Sequence, residues 1–443
     1  MTTTKTKPSP SPDPDTIFAE LLQDLPSETA ELARQFNAFA RARKIKTPEQ
    51  LLRAVLLFAA LDYTEREIAA NLVLTSADIS KLSNQAVRER LAACLPWLQA
   101  LLPKLIERPA LPRLPSGLRL LALDASEISA PGGKGAWRLH ALMEVVSLQL
   151  VTVELTDLKT GETLCNFQFT AGDVVLTDRG YSHRRGVSHL LKSDGEIITR
   201  YNPHHIPLTC AQGQALDVAE WLADCERGER RTLEGFFTAP DGASHQVWVH
   251  ACRLPEQQAA AARRRCLRAG KTGKYTPRKQ TLFLAEFVMV LTSVEPEVLS
   301  AEVVLELYRC RWQIELLFKR YKSLLDVDQL RACAGNVLGK VWLHGKLLYA
   351  VLIERRARRR CGPEWTRLDG ERDGSWWRVW RLIRDELTPL MTLSQCWDVG
   401  AWPAALTALA ERPRKRRLQR LPAAVVVWLQ KPPVPTPTLT VGM

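Results

Sequence analysis

The sequence predicts an α/β core interrupted by a β-rich insertion, with an all-α region before it and a helical region after it. Three observations carry this. From Ile17 to about Ile106, Leu and Ala recur at three- and four-residue spacing with no strand-like alternation. After Ser116 come short apolar runs rich in β-branched residues, and two of them end in aspartate: "GLRLLALDAS" at Asp124 and "GDVVLTDRGY" at Asp178. Helical texture resumes at "SAEVVLELYRCRWQIELLF" and continues, broken by Gly and Pro, to about Ala410.

Taken in order, residues 1–16 alternate Pro with Ser, Asp and Thr, a composition that buries little and predicts a disordered tail. Residues 17–107 form the helical region, and the proline cluster at 108–116 reads as a linker. The core takes 117–202 and 297–335. Between them, 203–296 carries shorter strands such as "HQVWVH" and "LFLAEFVMVLTS" around a basic loop, "RRRCLRAGKTGKYTPRK". A helical C-terminal region, 336–430, precedes an extended tail at 431–443.

At 443 residues the chain exceeds one ordinary core, so two or more domains are expected. No run of about twenty uncharged apolar residues occurs, which argues against a membrane span. The formal charge of +13 points to an anionic partner, nucleic acid being the commonest large one, or to a merely basic soluble enzyme. Ten cysteines show no CxxC pair and no zinc-finger spacing, and the start of the chain lacks a signal peptide's pattern. Together these predict a reduced, cytoplasmic protein.

Asp124 and Asp178 each close an apolar run, which predicts a side chain at the exposed end of a buried strand, where ligands sit in open α/β sheets. Singly, either is more often a turn residue or helix cap than a ligand. The stretch "YRCRWQIELLFKRYKSLL", Tyr308 to Leu325, adds a carboxylate among cations. At about 100° per residue, Tyr308, Arg311, Glu315 and Lys322 share an arc of roughly 60°, beside an apolar side made by Ile314, Leu317, Phe318 and Leu325. Arg311 and Glu315 alone would be an ordinary i, i+4 ion pair.

The spacing Tyr308-(2)-Arg311-(3)-Glu315-(6)-Lys322 resembles the Tyr-(2)-Arg-(3)-Glu-(6)-Lys signature of bacterial DDE-class insertion-sequence transposases, the insertion-sequence-four family. "LDAS" at Asp124 and "TDRGY" at Asp178 resemble that family's first and second acidic motifs, in the same order. The resemblance implies a ribonuclease-H-like catalytic core in which Asp124, Asp178 and Glu315 are catalytic and hold two Mg²⁺ ions, with Mn²⁺ able to substitute. It implies double-stranded DNA as partner, both the element's terminal inverted repeats and target DNA. It further implies a homodimer on that DNA, nucleoid-associated within the cytoplasm. Arg311 and Lys322 would clamp phosphates, Tyr308 would donate its hydroxyl to a phosphate oxygen, and Lys319 lies beside them. Trp312 would stack on an exposed base, although a lone Trp on a helix is more commonly core. Some relatives carry a Trp on the strand returning from the insertion to hold a flipped base; Phe287 and Val288 occupy that place here, which leaves a hairpin intermediate without support.

"TEREIAANLVLTSADISKLSNQAVRERL", Thr64 to Leu91, resembles a helix-turn-helix. Thr64 with Glu67, and Thr75 with Asp78, have capping-box spacing, and Lys81, Asn84 and Arg88 would face DNA from the second helix. The usual turn glycine is missing, with Val73 near its place. His183, His189, His204 and His205 fall on different expected elements and are not taken as a metal site. "PGGKGAW" lacks the Lys/Ser of a phosphate loop and reads as a strand-strand turn. "SWWRVW", Ser375 to Trp380, reads as core packing. Two rival functions remain on sequence grounds: a metal-dependent nuclease without strand transfer, and a transposase-derived DNA-binding regulator without catalysis.

Overall fold

The computed structural model describes residues 14–75, 82–106, 117–331, 335–362, 365, 367–368, 374–393 and 421–430. The chain runs through helices α1 (Pro14–Leu22), α2 (Thr29–Gln35), α3 (Pro48–Ala60), α4 (Glu65–Thr75), α5 (Asn84–Ala93) and α6 (Leu95–Ile106) into strands β1 (Arg119–Ser129), β2 (Gly135–Glu144), β3 (Gln149–Thr156) and β4 (Asp173–Thr177). Helix α7 (Arg184–Leu191), strand β5 (Glu196–Arg200), helix α8 (Val218–Trp221), strands β6 (Arg230–Thr238) and β7 (Ser244–Arg253), helices α9 (Glu256–Thr272) and α10 (Lys279–Leu284) and strand β8 (Phe287–Thr292) follow. The remaining helices are α11 (Ala301–Cys310), α12 (Trp312–Leu325), α13 (Val337–Cys361), α14 (Trp376–Thr392) and α15 (Ala423–Leu429). Contacts divide the described residues into two compact units, one drawn from Met1–Pro109, Ser126–Arg138 and Leu317–Arg414, the other from Ala110–Ala125, Leu139–Leu316 and Lys415–Met443.

The first unit is helical and is built around α13. That helix is apolar on nearly every side, with Val341, Leu343, Leu348, Ala350 and Ile353 buried, so it needs neighbours all round. It finds them in α3, α6 and α14. Helices from 17–107 and from 336–430 therefore share one core, a long-range pairing that local periodicity does not reveal. At Gly345 a Cβ would fall 2.5 Å from that of Ala59, so the missing side chain is what lets α3 and α13 approach. Charges buried here are paired: Arg356 reaches Asp24 at 2.7 Å and Glu386 at 3.1 Å, and Lys346 reaches Asp62 at 3.0 Å. Trp376 and Trp380 are buried, as the core reading of "SWWRVW" expects.

The capping box at Thr64 forms, with Glu67 Oε2 accepting from the Thr64 N–H at 2.7 Å and Thr64 Oγ1 from the Glu67 N–H at 3.3 Å. Thr75 does not start a helix. It is the last residue of α4, its hydroxyl donating to the Asn71 carbonyl at 2.7 Å, and Asp78 lies outside the described residues. The next described helix, α5, begins at Asn84, where Ser83 in extended conformation accepts from the Ala86 N–H at 3.2 Å.

The second unit is organised on an eight-stranded sheet in the order β3-β2-β1-β4-β5-β8-β7-β6. β1, β4 and β5 are parallel neighbours, and β8 runs antiparallel between β5 and β7. The strand "FVMVLT" thus lies between β5 and β7, so the hairpin β6–β7 belongs to the same sheet. Apolar residues of β1, β4, β5, β7 and β8, among them Leu121, Val175, Ile197, Val249 and Leu291, bury one continuous core. The expected basic loop differs. Residues 256–272 form the 17-residue helix α9, because "EQQAAAARRRCLRAGKT" combines strong helix formers with no proline. Between β1 and β2, Gly132 and Gly133 take φ of 90° and 79°, a turn that glycine adopts freely and that matches the strand-turn reading. Among the described residues no helix is long and apolar enough to cross a membrane, and the described cysteines are free.

Candidate active site

The parallel ladder between β1 and β4 ends at the pair Leu123 and Thr177, so the next residue on each strand is an aspartate: Asp124 and Asp178 stand side by side one step beyond it. Only one of them is at a strand end. β1 continues to Ser129, placing Asp124 mid-strand, whereas β4 stops because Asp178 caps a one-turn 3₁₀ helix, Arg179–Tyr181, accepting from the Gly180 N–H at 2.8 Å. The Asp178 carbonyl also accepts from the Thr199 hydroxyl of β5 at 3.1 Å, which ties the turn to the sheet.

Glu315 approaches from the first turn of α12. The stretch from Tyr308 to Leu325 is not one uniform helix. Arg311 separates α11 from α12, and i→i−3 hydrogen bonds from Arg311 N–H to the Tyr308 carbonyl (3.2 Å) and from Ile314 N–H to the Arg311 carbonyl (3.1 Å) tighten the chain there. Arg311 lies between two of the acids, hydrogen-bonded to Glu315 and 3.5 Å from Asp124 Oδ2. Its guanidinium also sits 5.9 Å from the centre of the Tyr308 ring.

Electrostatics confirm that these groups feel one another. Burial, reinforced by the nearby charges of Asp178 and Glu315, pushes the Asp124 carboxyl up to about 6, even though the Ala125 N–H and Arg311 oppose the rise. Burial works against the Arg311 charge, but Tyr308, Glu315 and Asp124 outweigh it and push its pKa up. Burial likewise raises the Tyr308 hydroxyl, partly offset by Arg311 and Arg200.

Among the described residues no group of three or more His, Cys, Asp or Glu side chains stands at metal-ligand spacing. The donor chemistry nevertheless fits a hard cation. Asp124, Asp178 and Glu315 offer only carboxylate oxygens, the donors that Mg²⁺ prefers. The Asp124 carboxyl is raised chiefly by burial, a cost that a cation bound to its charged form would offset.

Two arginines that sequence reading does not single out belong here. Arg200, at the end of β5, and Arg179, directly after Asp178, line a cavity of about 420 Å³ together with Arg265 of α9. Arg200 and Arg265 also line an adjoining space of about 540 Å³ with Arg264 and Arg268. Burial pushes the Arg200 pKa down while neighbouring Arg179 and Arg265 add repulsion, so cationic charge is concentrated next to the acids. The adjacency of Arg179 to Asp178 is a usable signal; nothing local distinguishes Arg200 from any arginine at a strand end.

Trp312 is 48% exposed, so it is not the core residue that the commoner role of such a Trp suggests. Lys319 is exposed and Lys322 half-buried on α12, whose later turns belong to the helical unit. Asn84 and Arg88 are both exposed on α5, while Lys81 lies outside the described residues. Two of the four histidines have structural partners: His183 caps α7 and hydrogen-bonds the Glu162 carbonyl at 2.8 Å, and His189 bonds the Phe167 carbonyl at 2.9 Å.

With this geometry in hand, comparison with known proteins assigns the class. The profile of the family described as "Transposase DDE domain" matches residues 115–350, more than half of the chain, and the chain belongs to that family. It is 34% identical over 336 residues to the transposase InsL for insertion sequence element IS186A of Escherichia coli (strain K12), covering 74% of this chain and 90% of the relative. Similarity is equal, 34% over 337 residues with the same coverage, to the transposase for insertion sequence element IS421 of Escherichia coli. The transposase for insertion sequence element IS231F of Bacillus thuringiensis subsp. israelensis is 26% identical over 207 residues, 43% of each chain. Within the class, the chain is a DDE transposase of the insertion-sequence-four family.

Proposed function

We propose that this transposase binds the terminal inverted repeats of its own element, cleaves phosphodiester bonds at the ends with two divalent metal ions, and joins the resulting 3′ hydroxyls to target DNA. The observation that carries the reading is the placement of Asp124 and Asp178 side by side past the β1–β4 ladder, with Glu315 close enough to raise the Asp124 carboxyl. The strand order β3-β2-β1-β4-β5, with β1, β4 and β5 parallel, supports a ribonuclease-H-like core into which residues 203–296 are inserted.

Asp124, Asp178 and Glu315 would hold two Mg²⁺ ions, whose chemistry when bound would be activation of a water or 3′ hydroxyl and charge neutralisation at the leaving oxygen. The remaining work falls to the chain's own groups. Arg311 holds the acids in place in the metal-free protein and offers a planar fork to a phosphate when it is released from Glu315. Tyr308 keeps its proton and donates it as a hydrogen bond to a phosphate oxygen, consistent with its raised pKa. Arg179, Arg200 and Arg265 extend the positive wall beyond the acids, where DNA leaving the site would run. Lys319 and Lys322 on α12 and exposed Trp312 add phosphate and base contacts. Asn84 and Arg88 on α5, with Lys81, would read end DNA, and a homodimer would bring two ends together.

Purified protein incubated with a labelled duplex carrying the element's end, with Mg²⁺ or with EDTA, tests this. Cleavage at the end that requires Mg²⁺ and joining of the cut 3′ strand to a second duplex are expected. Cleavage without joined products would reduce the proposal to a nuclease, and binding without cleavage to a regulator.

A further inference from the structure

Asp178 sits on a short turn, and the side chain that roots this turn in the core is Tyr181, the last residue of the 3₁₀ segment and fully buried. Its hydroxyl lies 2.9 Å from Nδ1 of His140, a fully buried residue of β2, whose Nε2 lies 3.0 Å from Oγ1 of Thr156 at the end of β3. Thr156 in turn donates to the Asp157 carbonyl at 3.1 Å. Tyr181 Oη, the His140 ring and Thr156 Oγ1 thus form one hydrogen-bonded chain from the turn that carries Asp178 to the end of β3.

We infer that His140 and Tyr181 are positioning residues for Asp178: the Tyr181–His140–Thr156 relay sets the height and orientation of the turn on which Asp178 presents its carboxylate. The inference rests on Asp178 being a metal ligand. The mechanical link is short. Asp178 and Tyr181 bracket one 3₁₀ turn, Asp178 Oδ1 is engaged by the Gly180 N–H, and the Tyr181 carbonyl accepts from the His183 N–H at 2.9 Å where α7 begins. A shift of the buried ring therefore moves the carboxylate. His140 also packs edge-on against Phe167, with ring centres 6.5 Å apart, which keeps the imidazole from sliding away when its partner is lost. Hydrogen-bonded groups behind a metal ligand typically change metal affinity or activity about 10- to 100-fold when removed.

Tyr181→Phe removes one hydroxyl and nothing else from the core, and is the primary test. Expected results are about tenfold slower end cleavage at saturating DNA, a higher Mg²⁺ concentration for half-maximal rate, and faster hydrogen exchange at residues 178–183 in the metal-free protein, with end-DNA binding unchanged. His140→Asn keeps an acceptor near the place of Nδ1 and should retain more cleavage than His140→Leu. Wild-type exchange and Mg²⁺ dependence in Tyr181→Phe, with Asp178→Ala inactive, would overturn the relay while leaving the metal site standing. Equal loss of folding, DNA binding and cleavage in Tyr181→Phe would make it a purely structural bond and overturn it too. Cleavage by Asp178→Ala would instead remove the assignment on which the inference depends.

Discussion

Both units of this molecule bury paired charge, but the sheet unit also holds a buried acid under strain. In the helical unit Arg356 is enclosed with Asp24 and Glu386 as partners, and Lys346 with Asp62 and the Trp342 ring. In the sheet unit Asp124 and Glu315 share the Arg311 guanidinium, and burial leaves Asp124 with its carboxyl pushed up to about 6. A buried ion given its partners holds helices in register, whereas a carboxyl held in a burial that opposes its charge costs stability and points to a binding role. A strained buried acid therefore marks a candidate site, and balanced charge marks a joint.

The sharpest separation should come from removing the acids. Asp124→Ala, Asp178→Ala and Glu315→Ala are each expected to lower end cleavage by about three orders of magnitude or more, on the order of 4 kcal/mol of barrier, with end binding retained in a gel-shift measurement. A variant that still cuts does not carry a ligand. The helical unit should respond the other way. Arg356→Met leaves buried Asp24 with Arg359 and Glu386 with Arg360 as their remaining partners, and up to about 3 kcal/mol of stability should be lost, read as a lower urea midpoint, while cleavage per folded molecule persists.

The acids should also set a pH dependence of stability in the presence of EDTA. Asp124 titrates near 3.8 when unfolded and about 6 when folded, so the native state binds the extra proton between those values. Its destabilising contribution is absent below the lower value, grows as the pH rises, and is complete above the upper one. Asp124→Asn is thus expected to raise thermal stability above pH 6, by on the order of 2–3 kcal/mol, and to make no difference near pH 3. An equal effect at both pH values would mean that the carboxyl is not under this strain. Smallest of all should be Thr64→Ala, which deletes the hydroxyl side of the α4 capping box and should lower stability by about 1 kcal/mol without touching the cleavage rate. Weakened end binding in that variant would tie α4 directly to DNA recognition.

The three acids were legible because their signals are local: two apolar runs that stop at aspartate, and a Tyr-Arg-Glu-Lys spacing that survives as a string. The strands were legible for the same reason, and so was the capping box at Thr64. Where the sequence pointed wrongly, a local rule met a second one. Arginine and lysine density made 263–279 look like a loop, although alanines at 259–262 favour helix and α9 runs through Thr272. Uniform helical periodicity across Tyr308–Leu325 concealed the tightening at Arg311, because an i→i−3 hydrogen bond leaves no compositional mark.

By itself, the sequence determined most of the elements, the order of the acids and the excess of positive charge, since each depends on residues near one another in the chain. Tertiary structure alone decided which strands are neighbours, and with that the adjacency of Asp124 and Asp178, residues that meet only because β1 pairs with β4 and stops pairing at Thr177. It also decided that Arg200 gathers with Arg179 and Arg265, that α13 draws helices from both ends of the chain into one core, and that His140 stands behind Tyr181. Each of these is a contact between distant residues, fixed by the shared burial of apolar surface and the pairing of polar groups that burial then requires.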